Sequence, residues 1–160
     1  MTDISIRPIG ESGHSHPSGT VTFLFTDIES STHMWEQHPD EMKTAYARHE
    51  SILRQAVASH NGYAYKMIGD AFQVAFETAP QALAAALEAQ RALHAEPWPE
   101  TCQMRVRMAL HTGVTEERGD DYVGPALNRV ARLLSAAYGG QVLLTQPVYD
   151  LVRDDLPFDI

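Results

Sequence analysis

The strongest hydrophobic pattern in the chain is the apolar run 21–25, which ends in polar residues at Thr26 and Asp27. β-Branched and aromatic side chains crowd this short segment, which predicts a strand buried on both faces. A carboxylate at the end of such a strand is costly unless something pairs with it. The local pattern leaves two interpretations open, since Asp27 either binds a cation or caps the next helix. The turn 28–32 offers backbone N–H groups that suit an anion.

Hydrophobic spacing predicts five more elements before residue 114. A two-residue gap, Gly69-Asp70, separates two apolar runs and indicates a tight hairpin. Helices are indicated by apolar positions three and four apart, and a half-buried strand by arginines that alternate with apolar residues. The predicted elements are a helix over 40–60, strands over 63–68 and 71–76, a helix over 80–94, and a strand over 104–110 closed by 111–113.

This order of elements is βαββαβ, the split βαβ arrangement, with both helices on one face of a mixed sheet. The first crossover is expected to be right-handed. In this topology the end of the first strand and the tip of the hairpin lie side by side at one edge of the sheet. We therefore expect Asp27 and Asp70 to meet, although they are far apart in the sequence.

The C-terminal part adds an extension to this core. It consists of an acidic loop over 116–121, a helix from Gly124-Pro125 to Tyr138, a strand over 141–145 and a helix over 148–153. The predicted fold class is α+β, a ferredoxin-like βαββαβ core with a C-terminal helix-strand-helix extension. Residues 1–19 lack apolar periodicity and predict a flexible tail. His14 and His16 in this segment suit a metal, but a mobile tail is the favoured interpretation.

Composition narrows the class of protein. A length of 160 residues suits one domain with a sizeable core. The net charge of -9 argues against a nucleic-acid partner, because phosphate backbones select for Lys and Arg. Cys102 is the only cysteine, which excludes an intramolecular disulfide and a thiolate zinc cluster. No apolar run of about 18 residues and no signal peptide is present, so we expect a soluble, cytoplasmic protein without a membrane partner.

Several side chains carry candidate chemistry. Two carboxylates at neighbouring loop tips suit a pair of Mg²⁺ ions, which substrate phosphates and water complete. Lys66 lies four residues before Asp70 and is either functional or a solvated edge residue. Asn128 and Arg132 share one face of a helix. Arg132 suits the charge that develops on phosphorus, although an ordinary surface arginine explains it equally well at this point.

Three ordered segments together resemble the class III nucleotidyl cyclase catalytic domain. They are Phe-Thr-Asp-Ile-Glu-Ser-Ser-Thr (25–32), Lys-Met-Ile-Gly-Asp-Ala-Phe (66–72) and Asp-Tyr-Val-Gly-Pro-Ala-Leu-Asn-Arg-Val-Ala-Arg-Leu (121–133). The resemblance extends from about residue 21 to the C-terminus. Three motifs in the right order and at the right spacing are far more specific than one short motif.

The resemblance implies a metal and phosphate site in the first half of the chain. Asp27 and Asp70 match the two metal-binding aspartates, and Ile28 matches the residue whose backbone carbonyl also contacts a metal. Ser31 and Thr32 match the turn that binds phosphate. The implied cofactors are two Mg²⁺ or Mn²⁺ ions per active site.

The resemblance also implies how the nucleotide is recognised. Lys66 and Asp121 match the pair that reads the purine, Asn128 the residue that positions the ribose, and Arg132 the residue that stabilises the transition state. Lysine only donates and suits N1 of adenine, whereas aspartate accepts from the 6-amino group, so the pair favours ATP. In the family the domain is a head-to-tail dimer, in which one chain provides the metal carboxylates and the other provides these four residues. A symmetric homodimer would then contain two shared sites.

Two positions depart from the family pattern. Ser30 occupies a position where relatives usually have Gly, which enters the left-handed region without penalty, so a less well shaped phosphate turn is expected. The chain ends at Ile160, whereas relatives continue into a hairpin with a phosphate-binding lysine. The expected organisation is a tail over 1–19 and a catalytic domain over 20–160 that lacks this hairpin.

The sequence therefore predicts an adenylate cyclase that converts ATP to 3′,5′-cyclic AMP and pyrophosphate by two-metal catalysis. The main alternative is a cyclase-like module that binds nucleotide or a partner with little or no turnover, which Ser30 and the absent hairpin favour. A ferredoxin-like RNA-binding module would need exposed aromatic residues on its central strands and a basic face, and the negative net charge disfavours it.

Overall fold

The computed structural model describes residues 16–156, with seven strands and five α-helices in that part of the chain. Most of the predicted tail, including His14, and the chain end at Ile160 lie outside the described residues. The elements are β1 Thr20–Ile28, α1 Ser31–Gln37, α2 Pro39–Ser59, β2 Tyr63–Ile68, β3 Ala71–Phe76, α3 Ala79–Ala95, β4 Val106–Val114, β5 Glu116–Arg118, β6 Asp121–Val123, α4 Pro125–Ser135, β7 Val142–Leu144 and α5 Gln146–Val152, followed by the 3-10 turn Arg153–Asp155.

The main sheet has the order β2-β3-β1-β4-β7, and β5 and β6 form a separate hairpin. β1 is central and pairs antiparallel with β3 on one side and with β4 on the other, while β7 is parallel to β4. The first four sheet strands therefore have the order of a ferredoxin-like core. The predicted α+β fold class is confirmed.

Helices cover the two faces of the sheet unequally. Side chains of α2, α3 and α5 pack with one face of β1, β3 and β4 in a large core that contains Leu24, Val74 and Met108. The other face packs against β6 and α4 in a smaller core around Phe23 and Val130. The prediction that the two core helices, α2 and α3, share one face is confirmed, and α4 lies on the opposite face.

Several predicted boundaries were wrong near the candidate site. β1 continues to Ile28, so Asp27 lies inside a strand and does not cap a helix. Residues 31–37 form α1, a helix that the turn prediction missed because no side chain caps its first turn. β4 continues through residues 111–113, since β1 supplies pairing partners along its whole length. The acidic loop 116–121 is largely the β5–β6 hairpin.

His16 and Pro17, the first described residues, contact the folded part of the chain, whereas Ser18 and Gly19 are exposed. The His16 ring stacks on Tyr63 with 4.0 Å between ring centroids. The carbonyl of Pro17, which is buried, accepts a hydrogen bond of 2.8 Å from the Tyr122 hydroxyl. No helix within residues 16–156 has both the length and the apolar character that crossing a bilayer requires.

Candidate active site

Asp27 lies near the end of β1, opposite Arg107 in the antiparallel register with β4. The guanidinium of Arg107 donates two hydrogen bonds of 2.6 Å, from Nε to Oδ1 and from Nη2 to Oδ2 of Asp27. These hydrogen bonds raise the pKa of Arg107. The pair is partly exposed, so the carboxylate is neutralised at a position that ions and ligands reach from solvent.

Asp70 lies in the turn between β2 and β3, and this turn reaches the same end of β1. Its Oδ2 accepts a hydrogen bond of 3.3 Å from the backbone N–H of Ile28, the residue after Asp27. The expectation that the hairpin tip lies beside the end of the first strand is therefore confirmed by the geometry. The topology places two carboxylates and the Ile28 backbone within one small region.

The donors in this region suit a hard divalent cation. Carboxylate and carbonyl oxygens are the ligands that Mg²⁺ prefers, and Mg²⁺ commonly uses only one or two carboxylates with phosphates and water. Within residues 16–156 no group of three or more His, Cys, Asp or Glu side chains could hold a metal. The two carboxylates fit an ion that phosphates and water also bind, and the Asp27 oxygens keep lone pairs beside their hydrogen bonds from Arg107.

The segment after β1 forms a tight turn into α1. Ser30 has φ +61°, in the left-handed region, and its carbonyl accepts from the N–H of Met34 at 3.3 Å. Ser31 and Thr32 follow as the first residues of α1, and Thr32 is exposed. Glycine adopts this conformation without penalty, whereas serine does not. The serine that replaces the family's usual glycine therefore lies at a position where the backbone is left-handed.

Lys66 and Asp121 form an ion pair with 2.6 Å between Nζ and Oδ2. A bulge in β2 between Ala64 and Lys66 shifts its register with β3, and Asp121 begins β6 on the other side of the pair. The hydrogen bond from Lys66 lowers the pKa of Asp121, whose Oδ1 also accepts from the backbone N–H of Tyr122 at 2.8 Å. Among residues 16–156 the structure thus pairs Lys66 with Asp121 and shows no such contact for Asp120.

Asn128 and Arg132 lie one turn apart on α4, and both are exposed. The opposite face of this helix buries Ala126 and Val130 against the sheet. Within residues 16–156 no hydrogen bond or ion pair joins Asn128 or Arg132 to Asp27 or Asp70. The structure therefore places these six positions in three separate groups of one chain: the carboxylate pair, the Lys66–Asp121 pair and the α4 face.

The sequence pattern did not reveal the contact between Arg107 and Asp27. It indicated Arg107 only as a polar position of a half-buried strand. The contact depends on the register between β1 and β4, which local spacing does not reveal. The sequence pattern also missed Glu29, whose Oε1 accepts a hydrogen bond of 2.6 Å from the N–H of Gly139, in the loop after α4. A side chain at position 139 would collide with Arg105, so glycine is required for this close approach.

A sequence profile of the family described as adenylate and guanylate cyclase catalytic domain matches residues 14–159. The match covers nearly the whole chain, including every candidate site residue. The chain belongs to this family. The resemblance inferred from three short motifs is confirmed.

Curated relatives show substantial identity with the chain. An uncharacterised protein of Mycobacterium tuberculosis is 42% identical over 145 residues, which cover 89% of this chain and 48% of that protein. An adenylate cyclase of Schizosaccharomyces pombe is 35% identical over 164 residues, which cover 87% of this chain and 10% of that protein. The chain thus spans about half the length, or less, of these relatives.

Solved cyclase structures share the fold. A structure of adenylate cyclases from Trypanosoma brucei in their monomeric state has a TM-score of 0.79 and 32% identity, and covers 88% of this chain and 79% of that chain. The adenylyl cyclase CyaB from P. aeruginosa has a TM-score of 0.73 at 18% identity, with coverage of 87% and 83%. The second similarity concerns the fold alone.

Proposed function

We propose that this cyclase domain is an adenylate cyclase that converts ATP to 3′,5′-cyclic AMP and pyrophosphate. The observation that carries the proposal is the meeting of Asp70 with the end of β1 beside Asp27, through the 3.3 Å contact to Ile28. Two carboxylates in that arrangement suit divalent ions that hold a triphosphate. Residues 20–156 and the segment that follows them would form the catalytic domain.

The proposed metal site consists of Asp27, Asp70 and the backbone carbonyl of Ile28. Two Mg²⁺ or Mn²⁺ ions, when bound there, would activate the ribose 3′-oxygen and neutralise charge on the phosphates. Asp27 and Asp70 would bind and orient the ions. Ser31 and Thr32, at the start of α1, would orient the phosphates so that the 3′-oxygen attacks in line.

The base preference follows from the Lys66–Asp121 pair. An ammonium donates to the N1 acceptor of adenine, and the lone pairs of the carboxylate accept from the 6-amino group. Guanine presents the opposite pattern at both positions. The 2.6 Å ion pair supports this proposal, because it places the Lys66 ammonium and the Asp121 carboxylate next to each other, where one adenine base can contact both.

The proposed site is shared between two copies of the chain. Asn128 would position the ribose, and Arg132 would offset the negative charge of the transition state. Both residues lie exposed on α4, and among residues 16–156 neither contacts the carboxylate pair of its own chain. A head-to-tail homodimer would bring the α4 of one chain to the carboxylates of the other, in two equivalent sites.

A cyclase-like module that binds nucleotide without turnover is the second candidate. It is favoured by one observation, the bidentate Arg107 pair that occupies both oxygens of Asp27. In that case ATP would bind through Lys66 and Asp121, while the metal site stayed closed. The two candidates differ in whether product forms.

Product analysis of the purified chain tests the proposal. We expect cyclic AMP and pyrophosphate from ATP with Mn²⁺, and much less cyclic GMP from GTP. Asp27→Asn and Asp70→Asn should each lower the rate by a hundredfold or more, on the order of the loss expected when transition-state charge stabilisation fails.

Asp40→Asn is the matched control, since Asp40 is an exposed carboxylate in the first turn of α2. Its rate should equal that of the wild type. Nucleotide binding without product at any Mn²⁺ concentration would favour the non-catalytic module, and full activity of both aspartate variants would remove the carboxylate pair from the mechanism.

A further inference from the structure

A row of four rings crosses the protein beside the candidate metal site. It consists of Trp35 in α1, Tyr46 and His49 in α2, and Phe72 in β3. The centroids of successive rings are 6.0, 5.3 and 5.9 Å apart. These distances are within the range of favourable aromatic contacts. We call this set the aromatic row; it links the helix that follows the Ser30 turn to the hairpin that carries Asp70.

Tyr46 is the member of the row that touches the hairpin turn directly. Its hydroxyl donates a hydrogen bond of 3.1 Å to the carbonyl of Gly69. Gly69 has φ +59°, a left-handed conformation, and it precedes Asp70 in the chain. The hydroxyl therefore fixes the backbone on one side of Asp70, while the N–H of Ile28 contacts its carboxylate on the other.

His49, the next ring of the row, has no exposed surface, and neither ring nitrogen has a hydrogen-bond partner within the described residues. An unpaired buried imidazole is unfavourable for folding, because its nitrogens lose water and gain nothing in return. The ring contributes through its shape, since it packs edge-on against Phe72 and contacts the Tyr46 ring at a tilt. Support of this kind keeps the Tyr46 hydroxyl directed at the Gly69 carbonyl.

We propose that Tyr46 is a positioning residue for metal binding, which holds the Gly69-Asp70 turn so that the Asp70 carboxylate stays beside the end of β1. Through its ring contact with Trp35 it also ties that turn to α1, which begins with Ser31 and Thr32. One side chain thus contacts both the turn that carries Asp70 and the helix that begins with Ser31 and Thr32. It would hold the proposed metal ligand and the proposed phosphate-binding residues in fixed relative positions. This inference rests on the proposed function of Asp70 as a metal ligand.

Mn²⁺ binding tests the proposal without relying on turnover. The free Mn²⁺ signal in electron paramagnetic resonance gives the affinity of the full chain for Mn²⁺ alone. Tyr46→Phe keeps the ring and removes only the hydroxyl, so we expect Mn²⁺ affinity to fall about three- to tenfold, as for loss of one hydrogen bond. The Mn²⁺ concentration for half-maximal cyclase rate should rise by the same factor, with the rate at saturating Mn²⁺ within twofold of wild type.

Tyr149→Phe is the control, because Tyr149 is partly exposed on α5, away from the aromatic row. It should bind Mn²⁺ as the wild type does. A merely structural role of Tyr46 would lower the melting temperature and leave Mn²⁺ affinity unchanged, and that result would overturn the proposal. Wild-type affinity in Tyr46→Phe, or an equal loss in Tyr149→Phe, would also overturn it.

Asp70→Asn separates this inference from the proposed function. If the wild type binds no Mn²⁺, or Asp70→Asn binds it as tightly as wild type, the metal site itself is wrong. If Asp70→Asn loses binding and Tyr46→Phe does not, only the positioning role fails. Should Tyr46→Phe not fold, Trp35→Leu tests the row from its exposed end, and unchanged affinity for Mn²⁺–ATP in that variant would overturn the proposal.

Discussion

Arg107 is the ion-pair partner of Asp27 in this structure. Two short hydrogen bonds from one guanidinium satisfy both carboxylate oxygens, so a cation that binds Asp27 competes with an internal positive charge. Once released, the guanidinium would stand beside any phosphates held by the same cation.

Replacement of Arg107 tests this competition. Arg107→Gln removes the charge, so Mn²⁺ alone should bind the chain about five- to tenfold more tightly, as expected for a partly exposed ion pair worth about 1 kcal/mol. Arg105→Gln is the control, because Arg105 is an exposed arginine on the same segment without a contact to Asp27 among the described residues. A titration that shows equal or weaker Mn²⁺ binding in Arg107→Gln would contradict the competition.

At the scale of elements, the helices and most strands could be predicted from the sequence because their apolar spacing is regular. The bounds of α2 and of the β2–β3 hairpin agree with the predicted segments within one or two residues. α1 could not be predicted, since it is only seven residues long and Ser30 enters it from the left-handed region without a capping side chain. The polar ends of β1 and β4 were not predicted as strand, because they are held in the sheet by hydrogen bonds between the two strands and not by burial of apolar side chains.

For the candidate site, the sequence could predict only those residue positions that follow from the motifs or from the order of the strands and helices. Asp27 and Asp70 could be brought together by the βαββαβ order, and Asp121 could be placed by its distance from Asn128. The Arg107 contact and the Tyr46 contact with Gly69 depend on strand register and on the rotation of a helix about its axis. Neither quantity is encoded in local spacing.

Helix α2 contains a buried histidine that makes stability depend on pH. Burial lowers the pKa of His49 to about 4, although the negative charges of Asp70 and Glu50 act in the opposite direction. The unfolded chain takes up a proton on this residue below about pH 6.5, whereas the folded chain does so only near pH 4. The free energy of unfolding should therefore decrease as pH falls through this window.

His49→Leu removes this contribution. Between pH 7 and pH 5 the wild type should lose about 2 kcal/mol more stability than the variant in urea unfolding. His111, whose pKa is also lowered by burial and by Arg129, contributes to the same window in both proteins. Met42→Leu is the control, since Met42 is equally buried on α2 but does not titrate, and its pH dependence should match the wild type. Parallel pH profiles for His49→Leu and the wild type would contradict the assignment.

At the scale of the whole molecule, one chain divides the proposed catalytic groups between surfaces that do not meet. The carboxylate pair lies at one end of β1, while Asn128 and Arg132 lie on the solvent side of α4, across the sheet from α2 and α3. A monomer with this geometry would lack a complete site. If the site is shared between two copies, as proposed, inactive variants from opposite halves should restore each other.

Mixing variants tests this sharing of sites. Asp70→Asn and Arg132→Ala should each be inactive as homodimers, but their heterodimer combines the intact carboxylates of one chain with the intact α4 of the other. With random pairing, half of the dimers contain one complete site of two, so the mixture should recover about a quarter of wild-type activity. Asp27→Asn mixed with Asp70→Asn is the control, since both changes damage the same half and no complete site can form. Recovery in the control, or none in the test mixture although heterodimers form, would argue for a site within one chain.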